Sequence, residues 1–99
     1  MYGLIAKMVA APGQRDALIA LILEGSGEMP GCFSYIVGKD IADENAIWVT
    51  EVWDSEESHK ASLSIPAVKA AIARAMPLIA GFEPGAVTAP VGGIGLKTA

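Results

Sequence analysis

Glu51, Trp53 and His59, the last being the chain's only histidine, fall within nine residues of one another in "TEVWDSEESHKAS". A carboxylate beside an imidazole can take and return a proton near neutral pH, since histidine's unperturbed pKa is about 6.5. An indole adds a flat apolar surface and one N–H donor. Each residue also has a structural reading. His59 can anchor a loop or a neighbouring subunit, Trp53 can be a large core residue, and Glu51 can be a buried carboxylate bonded to backbone N–H groups or to an arginine across a subunit boundary. Upstream, Phe33 and Tyr35 alternate with Cys32 and Ser34, which gives that strand one aromatic face. Such a face can frame a flat ligand or simply fill a core. Cys32 has no basic neighbour in the sequence to lower its pKa and reads as a small buried hydrophobe.

Other chemistries lack their signatures. There is no Gly-rich phosphate loop, no HExxH and no Gly-x-Ser-x-Gly. One histidine and one cysteine argue against a transition-metal site, and a single cysteine excludes an internal disulfide. The net charge of -4, with no run of Lys or Arg, gives no footprint for nucleic acid. No apolar run reaches the roughly 18 residues of a membrane helix. The apolar start "MYGLIAKMVAA" has no basic leader, is broken by Lys7 and runs into Pro12-Gly13, so it reads as a strand and a turn. The expectation is a cytoplasmic protein.

The elements that must position these side chains follow from periodicity. The 99 residues allow one domain, and 53% hydrophobic residues is rich for that size, which suggests surface covered by a second subunit. Residues 2–10 form a β-compatible run, followed by a helix over 14–25 with Leu18, Leu21, Ile22 and Gly25 on its core face. Ile19 and Leu23 widen that face; they point either to a broad core contact or to another subunit or the C-terminal tail. Strands over 32–39 and 46–53 flank a short turn and read as an antiparallel hairpin. In the second strand Ile47, Val49, Glu51 and Trp53 share one face. Asp54 with Glu57 has the form of a capping box, so a short helix from Ser55 carries His59 in its second turn. A further helix starts near Ser64 and Pro66 with Val68, Ile72, Ala75 and Met76 on one face, and Pro77 ends or kinks it. A last strand follows, giving a domain over 1–90 and a Gly-rich tail over 91–99. The order β-α-β-β-α-β is the α+β, ferredoxin-like arrangement, an antiparallel sheet with helices on one face. The opposite face needs a cover, and the simplest is the same face of a second copy.

The motifs "PGQRDAL" after the first strand, "MPGC" at 29–32, "EVW" at 51–53 and the following "DSEESHKAS" resemble the antibiotic biosynthesis monooxygenase domain family, quinol-monooxygenase type, over about residues 1–90. The resemblance implies a homodimer whose sheets form a dimeric α+β barrel, with a ligand pocket between sheet and helices. It also implies oxygenation of a quinol or polycyclic phenol by O2 with no metal, flavin or other cofactor. In that reading His59, with Glu51, manages the substrate's proton, while Trp53, Tyr35 and Phe33 hold the ring. Family members that oxidise polyketides or degrade haem carry an Asn on the first strand, and the haem enzymes add a His on the long helix. "YGLIAKMVA" has no Asn, its nearest polar side chain being Lys7, and residues 68–76 hold no His, which argues against haem degradation. Two other functions stay open on the same scaffold: an isomerase or cyclase of small carbonyl compounds, and a dimeric protein that binds a metabolite without transforming it.

Overall fold

The computed structural model describes residues 1–96; the last three residues of the expected 91–99 tail lie outside the described residues. Strand β1 (Tyr2–Ala10) leads to helix α1 (Arg15–Gly25), the hairpin β2 (Cys32–Lys39) and β3 (Ala46–Trp53), helices α2 (Glu56–Ser62) and α3 (Pro66–Ala75), and strand β4 (Ile79–Thr88). The sheet order is β2-β3-β1-β4 and every pairing is antiparallel. This is the ferredoxin-like α+β fold expected from the element order.

Local chemistry explains the boundaries. Gly31 ends the α1–β2 loop at φ 83°, and a Cβ there would meet Ser58 Oγ at 2.7 Å and Asp54 Oδ1 at 2.8 Å. Only glycine lets this turn press against the start of α2. The β2–β3 turn is organised by Asp40. Its Oδ1 accepts the Ala42 and Asp43 amides at 2.8 and 2.9 Å, and its Oδ2 accepts the Trp48 indole N–H at 2.8 Å. These bonds, led by the Trp48 donor, hold the Asp40 carboxyl down at about 2. The Arg15 guanidinium then ties the start of α1 to the same turn by donating to the Asp43 carbonyl at 2.9 Å.

The cap of α2 falls one residue later than the Asp54 capping box. Ser55 is the N-cap, with its Oγ accepting the Ser58 amide at 3.2 Å, and it also donates to Asp54 Oδ1 at 3.1 Å. The serine's extended backbone places its oxygen over the helix start, so the aspartate acts through the serine instead of replacing it.

The α3 face also differs from expectation. Val68, Ala71 and Ala75 are buried, whereas Ile72 and Met76 are more than 40% exposed. A Cβ added to Gly25 would stand 2.5 Å from Ala71 Cβ, so α1 and α3 meet through small residues and the larger Ile72 is pushed off the contact. Met76 lies beyond the helix, in the single 3-10 turn Met76–Leu78 that Pro77 imposes. On α1, Leu18 is fully buried and Ile19 packs on the core, while Leu23 is 53% exposed.

The core sits between sheet and helices, on Ala10, Leu18, Ile47, Val49 and Ala75. The opposite sheet face carries Lys7, bridged to Glu83 at 2.9 Å and lying 5.4 Å from the centre of the Trp48 ring. Ile36, 63% exposed, stands on that face beside Thr50. No helix among the described residues is long and apolar enough to cross a membrane.

Candidate functional site

Strand β3 positions the acid and the indole. Its alternation puts Ile47, Val49, Glu51 and Trp53 under the helices, each no more than 8% exposed, and turns Trp48, Thr50 and Val52 to the other face. Being two residues apart on one face, Glu51 and Trp53 can meet. Trp53 Nε1 donates to Glu51 Oε1 at 3.0 Å.

His59 reaches the pair from the second turn of α2. Its Nε2 lies 3.8 Å from the same Oε1, within ion-pair reach and too long for a hydrogen bond. The imidazole meets the indole edge to face, with centroids 5.4 Å apart and planes at 69°. Tyr2, opposite Trp53 in the β1–β3 register, packs on the imidazole as well, at 5.6 Å and 32°. Sequence reasoning missed Tyr2, because its place depends on a pairing between residues far apart in the chain. At the end of α2, Ser62 Oγ donates to the His59 carbonyl at 2.6 Å and secures the last turn.

Glu51, Trp53, His59 and Ser62 line a chamber of about 130 Å³, with Ile22, Val68 and Ala71 from α1 and α3 over it and Tyr35 from β2 in its wall. The structure therefore brings together Glu51, Trp53, His59 and Tyr35. It does not bring Phe33 to them. A bulge between Cys32 and Ser34 adds one residue opposite β3 and breaks the even alternation behind the expected aromatic face. Phe33 instead lines an adjoining open groove of about 470 Å³. Cys32 is half-buried, with its thiol donating to the Ser34 carbonyl at 3.5 Å, and so is not the enclosed hydrophobe expected. Lys7 points to the far side of the sheet and takes no part in the chamber.

Burial raises the Glu51 pKa above the ordinary carboxylate value, although the Trp53 N–H and the nearby His59 both pull it down. Neither a backbone amide nor an arginine supports this carboxylate; among the described residues its partners are the indole and the imidazole. Both partners use Oε1. No buried side-chain nitrogen or oxygen of the described residues lacks a partner, so Oε2 must lie at accessible surface, and the chamber is the space that Glu51 lines. Tyr35 keeps its proton even more firmly than a free phenol, through burial first and then the Glu51 charge. The arrangement offers one proton acceptor, one neutral O–H donor and an imidazole, in a space walled mostly by apolar side chains. Among the described residues no three His, Cys, Asp or Glu side chains are grouped to hold a metal ion.

Comparison with known proteins bears on this site. Among solved structures, the chain is similar to a candidate antibiotic biosynthesis monooxygenase from Chloroflexus aurantiacus J-10-fl, with 62% identity over 96% of this chain and 97% of that one and a TM-score of 0.93. Two further candidates share the fold at lower identity. The one from Deinococcus radiodurans has 20% identity over 95% of this chain and 96% of that one, with a TM-score of 0.76. The one from Caulobacter crescentus CB15 has 22% identity over 88% and 84%, with a TM-score of 0.75. No curated protein matches the chain. The family model described as Antibiotic biosynthesis monooxygenase matches residues 1–74. That span runs from β1 into α3 and takes in every chamber residue named above, and on it the chain belongs to the antibiotic biosynthesis monooxygenase family.

Proposed function

We propose that the protein oxygenates a single-ring quinol or phenol with dioxygen, using no metal or flavin, in the chamber around Glu51. The observation that carries this reading is a buried carboxylate lining a small, largely apolar space beside a neutral tyrosine. A chamber of about 130 Å³ sets the size, since an apolar cavity of about 150 Å³ holds one benzene ring. A single ring is the smaller of the two substrate classes that the family resemblance implies, and it is the one that matches this volume.

In this mechanism the substrate hydroxyl gives its proton to Glu51 Oε2, with His59 beside the carboxylate to share it. The Tyr35 O–H donates to the phenolate and stabilises the anion among largely apolar walls. The electron-rich ring passes one electron to O2, and the resulting radical pair joins to form a ring-carbon hydroperoxide. The O–O bond then breaks, and the leaving oxygen departs as water with the returned proton. For a hydroquinone the sum is QH2 + O2 to a hydroxyquinone and H2O, with the four electrons of O2 reduction supplied by the ring.

Oxygen uptake by purified, chelator-treated protein tests the reading, with hydroquinone, methylhydroquinone and an anthrone-like tricyclic phenol, each corrected for autoxidation. Accelerated uptake is expected with the single-ring compounds and is expected to fall in His59→Ala with the fold retained. No acceleration with any of them would defeat the oxygenase reading.

The reading includes a homodimer that closes the other face of the sheet, where Ile36 is exposed and Trp48 and Val52 are only partly covered. Sedimentation equilibrium is expected to give twice the chain mass at micromolar concentration. A monomer there would rule the dimer out.

A further inference from the structure

The chamber and the open groove share the walls Ser26, Met29 and Tyr35, so the two spaces adjoin along the α1–β2 loop and strand β2. Their chemistry differs. The chamber is mostly apolar apart from Glu51, Tyr35, His59 and two serines, whereas the groove adds Glu28, Ser34 and loop backbone at Gly27 to the side chains of Phe33 and Ile36. Among the described residues that line the groove Glu28 carries the only formal charge, with no described Lys, Arg or His beside it in the lining.

We infer that the site is bipartite, taking a phenolic ring in the chamber and an amine-bearing side chain of the same substrate in the groove. This rests on the reading of the chamber as a phenol site and adds the substrate's second half. The size of the chamber supports it: about 130 Å³ is filled by one ring, and the wall the two spaces share gives a substituent a way into the groove. Outside, the substituent runs past Phe33 and meets hydroxyls, backbone and one carboxylate. An ammonium gains an ion pair with Glu28 at that point. A carboxylate there meets like charge, with no cation among the described lining residues to receive it.

Calorimetric titration of the intact protein tests this without turnover, using phenol, 4-(2-hydroxyethyl)phenol, tyramine and 4-hydroxyphenylacetate under nitrogen. Tyramine is expected to bind about fivefold more tightly than 4-(2-hydroxyethyl)phenol, the upper end for an exposed ion pair. 4-Hydroxyphenylacetate is expected to bind more weakly than either. In Glu28→Gln, a change on an exposed loop residue, the tyramine advantage should vanish while phenol binding stays the same. Equal binding of the amine and the acid would overturn the inference and leave the phenol reading standing, as would an amine preference that survives Glu28→Gln. If phenol itself does not bind, the chamber reading fails and takes this one with it.

Discussion

Glu51→Gln is expected to lower oxygenation turnover by about 100- to 10,000-fold, the usual contribution of a positioned proton acceptor, while the variant unfolds no more easily than the parent. The two halves of this result have separate causes. Glutamine keeps the shape and offers a carbonyl to the Trp53 N–H that Glu51 accepts at 3.0 Å, so packing persists. It cannot take a proton from a phenol. Glu51's folded pKa is raised by burial, so the folded chain holds a proton that the unfolded chain would release. Stability from this group is fully present below the unfolded carboxylate pKa and is lost as pH rises through the folded one. Gln removes that loss, and the variant should therefore match or exceed the parent's melting temperature at neutral pH. Oxygen uptake and thermal melts at pH 4 and pH 7 measure both halves. In the parent, turnover should climb with pH through the raised Glu51 pKa. A Glu51→Gln variant that turns over normally would remove Glu51 from the mechanism; one that fails to fold would make the carboxylate structural.

Trp53→Ala is expected to destabilise the fold by about 3–5 kcal/mol, the range for deleting a fully buried large aromatic side chain. Trp53 is 0% exposed, supports His59 edge to face and supplies the indole donor to a buried carboxylate. Removing it opens a void and leaves Glu51 without that donor. Trp53→Phe separates the terms, since it keeps most of the volume and loses the N–H. The expected loss is then about 1–3 kcal/mol for the bond to the carboxylate, and the pH at which turnover rises should move upward because the bond that lowered the Glu51 pKa is gone. Urea unfolding gives the energies and a pH–rate profile gives the shift. A Trp53→Phe profile that coincides with the parent's would show that the indole bond does not set the acidity of Glu51.

Much of the site was legible because it is local. Strand alternation has a period of two, so Glu51 and Trp53 on one face and Trp48 on the other follow from the six consecutive letters of residues 48–53. The helix bearing His59 follows from its breaker-free run, and only its cap was misplaced, by one residue, because serine and aspartate side chains compete for the same amides. Lys7 could have been set aside by the same rule, since it alternates with Leu4, Ala6 and Met8, which pair across to the buried face of β3. The remaining residues depended on long-range geometry. Tyr2 reaches His59 only because the β1–β3 register sets it opposite Trp53. Phe33 leaves the chamber wall because of a bulge that no residue in "CFSY" announces.

The sequence by itself determined the order of elements, the faces of β3 and the identity of the groups that can move a proton, since those depend on residue type and on neighbours within one or two turns. Tertiary structure alone decided that the carboxylate would be partnered by an indole and an imidazole, both through Oε1. It also decided that the space beside that carboxylate would be about 130 Å³. That volume is what remains between a sheet and two helices drawn together at Gly25 and Ala71. It depends on how closely side chains from distant parts of the chain can pack, and close packing is a property of the assembled core.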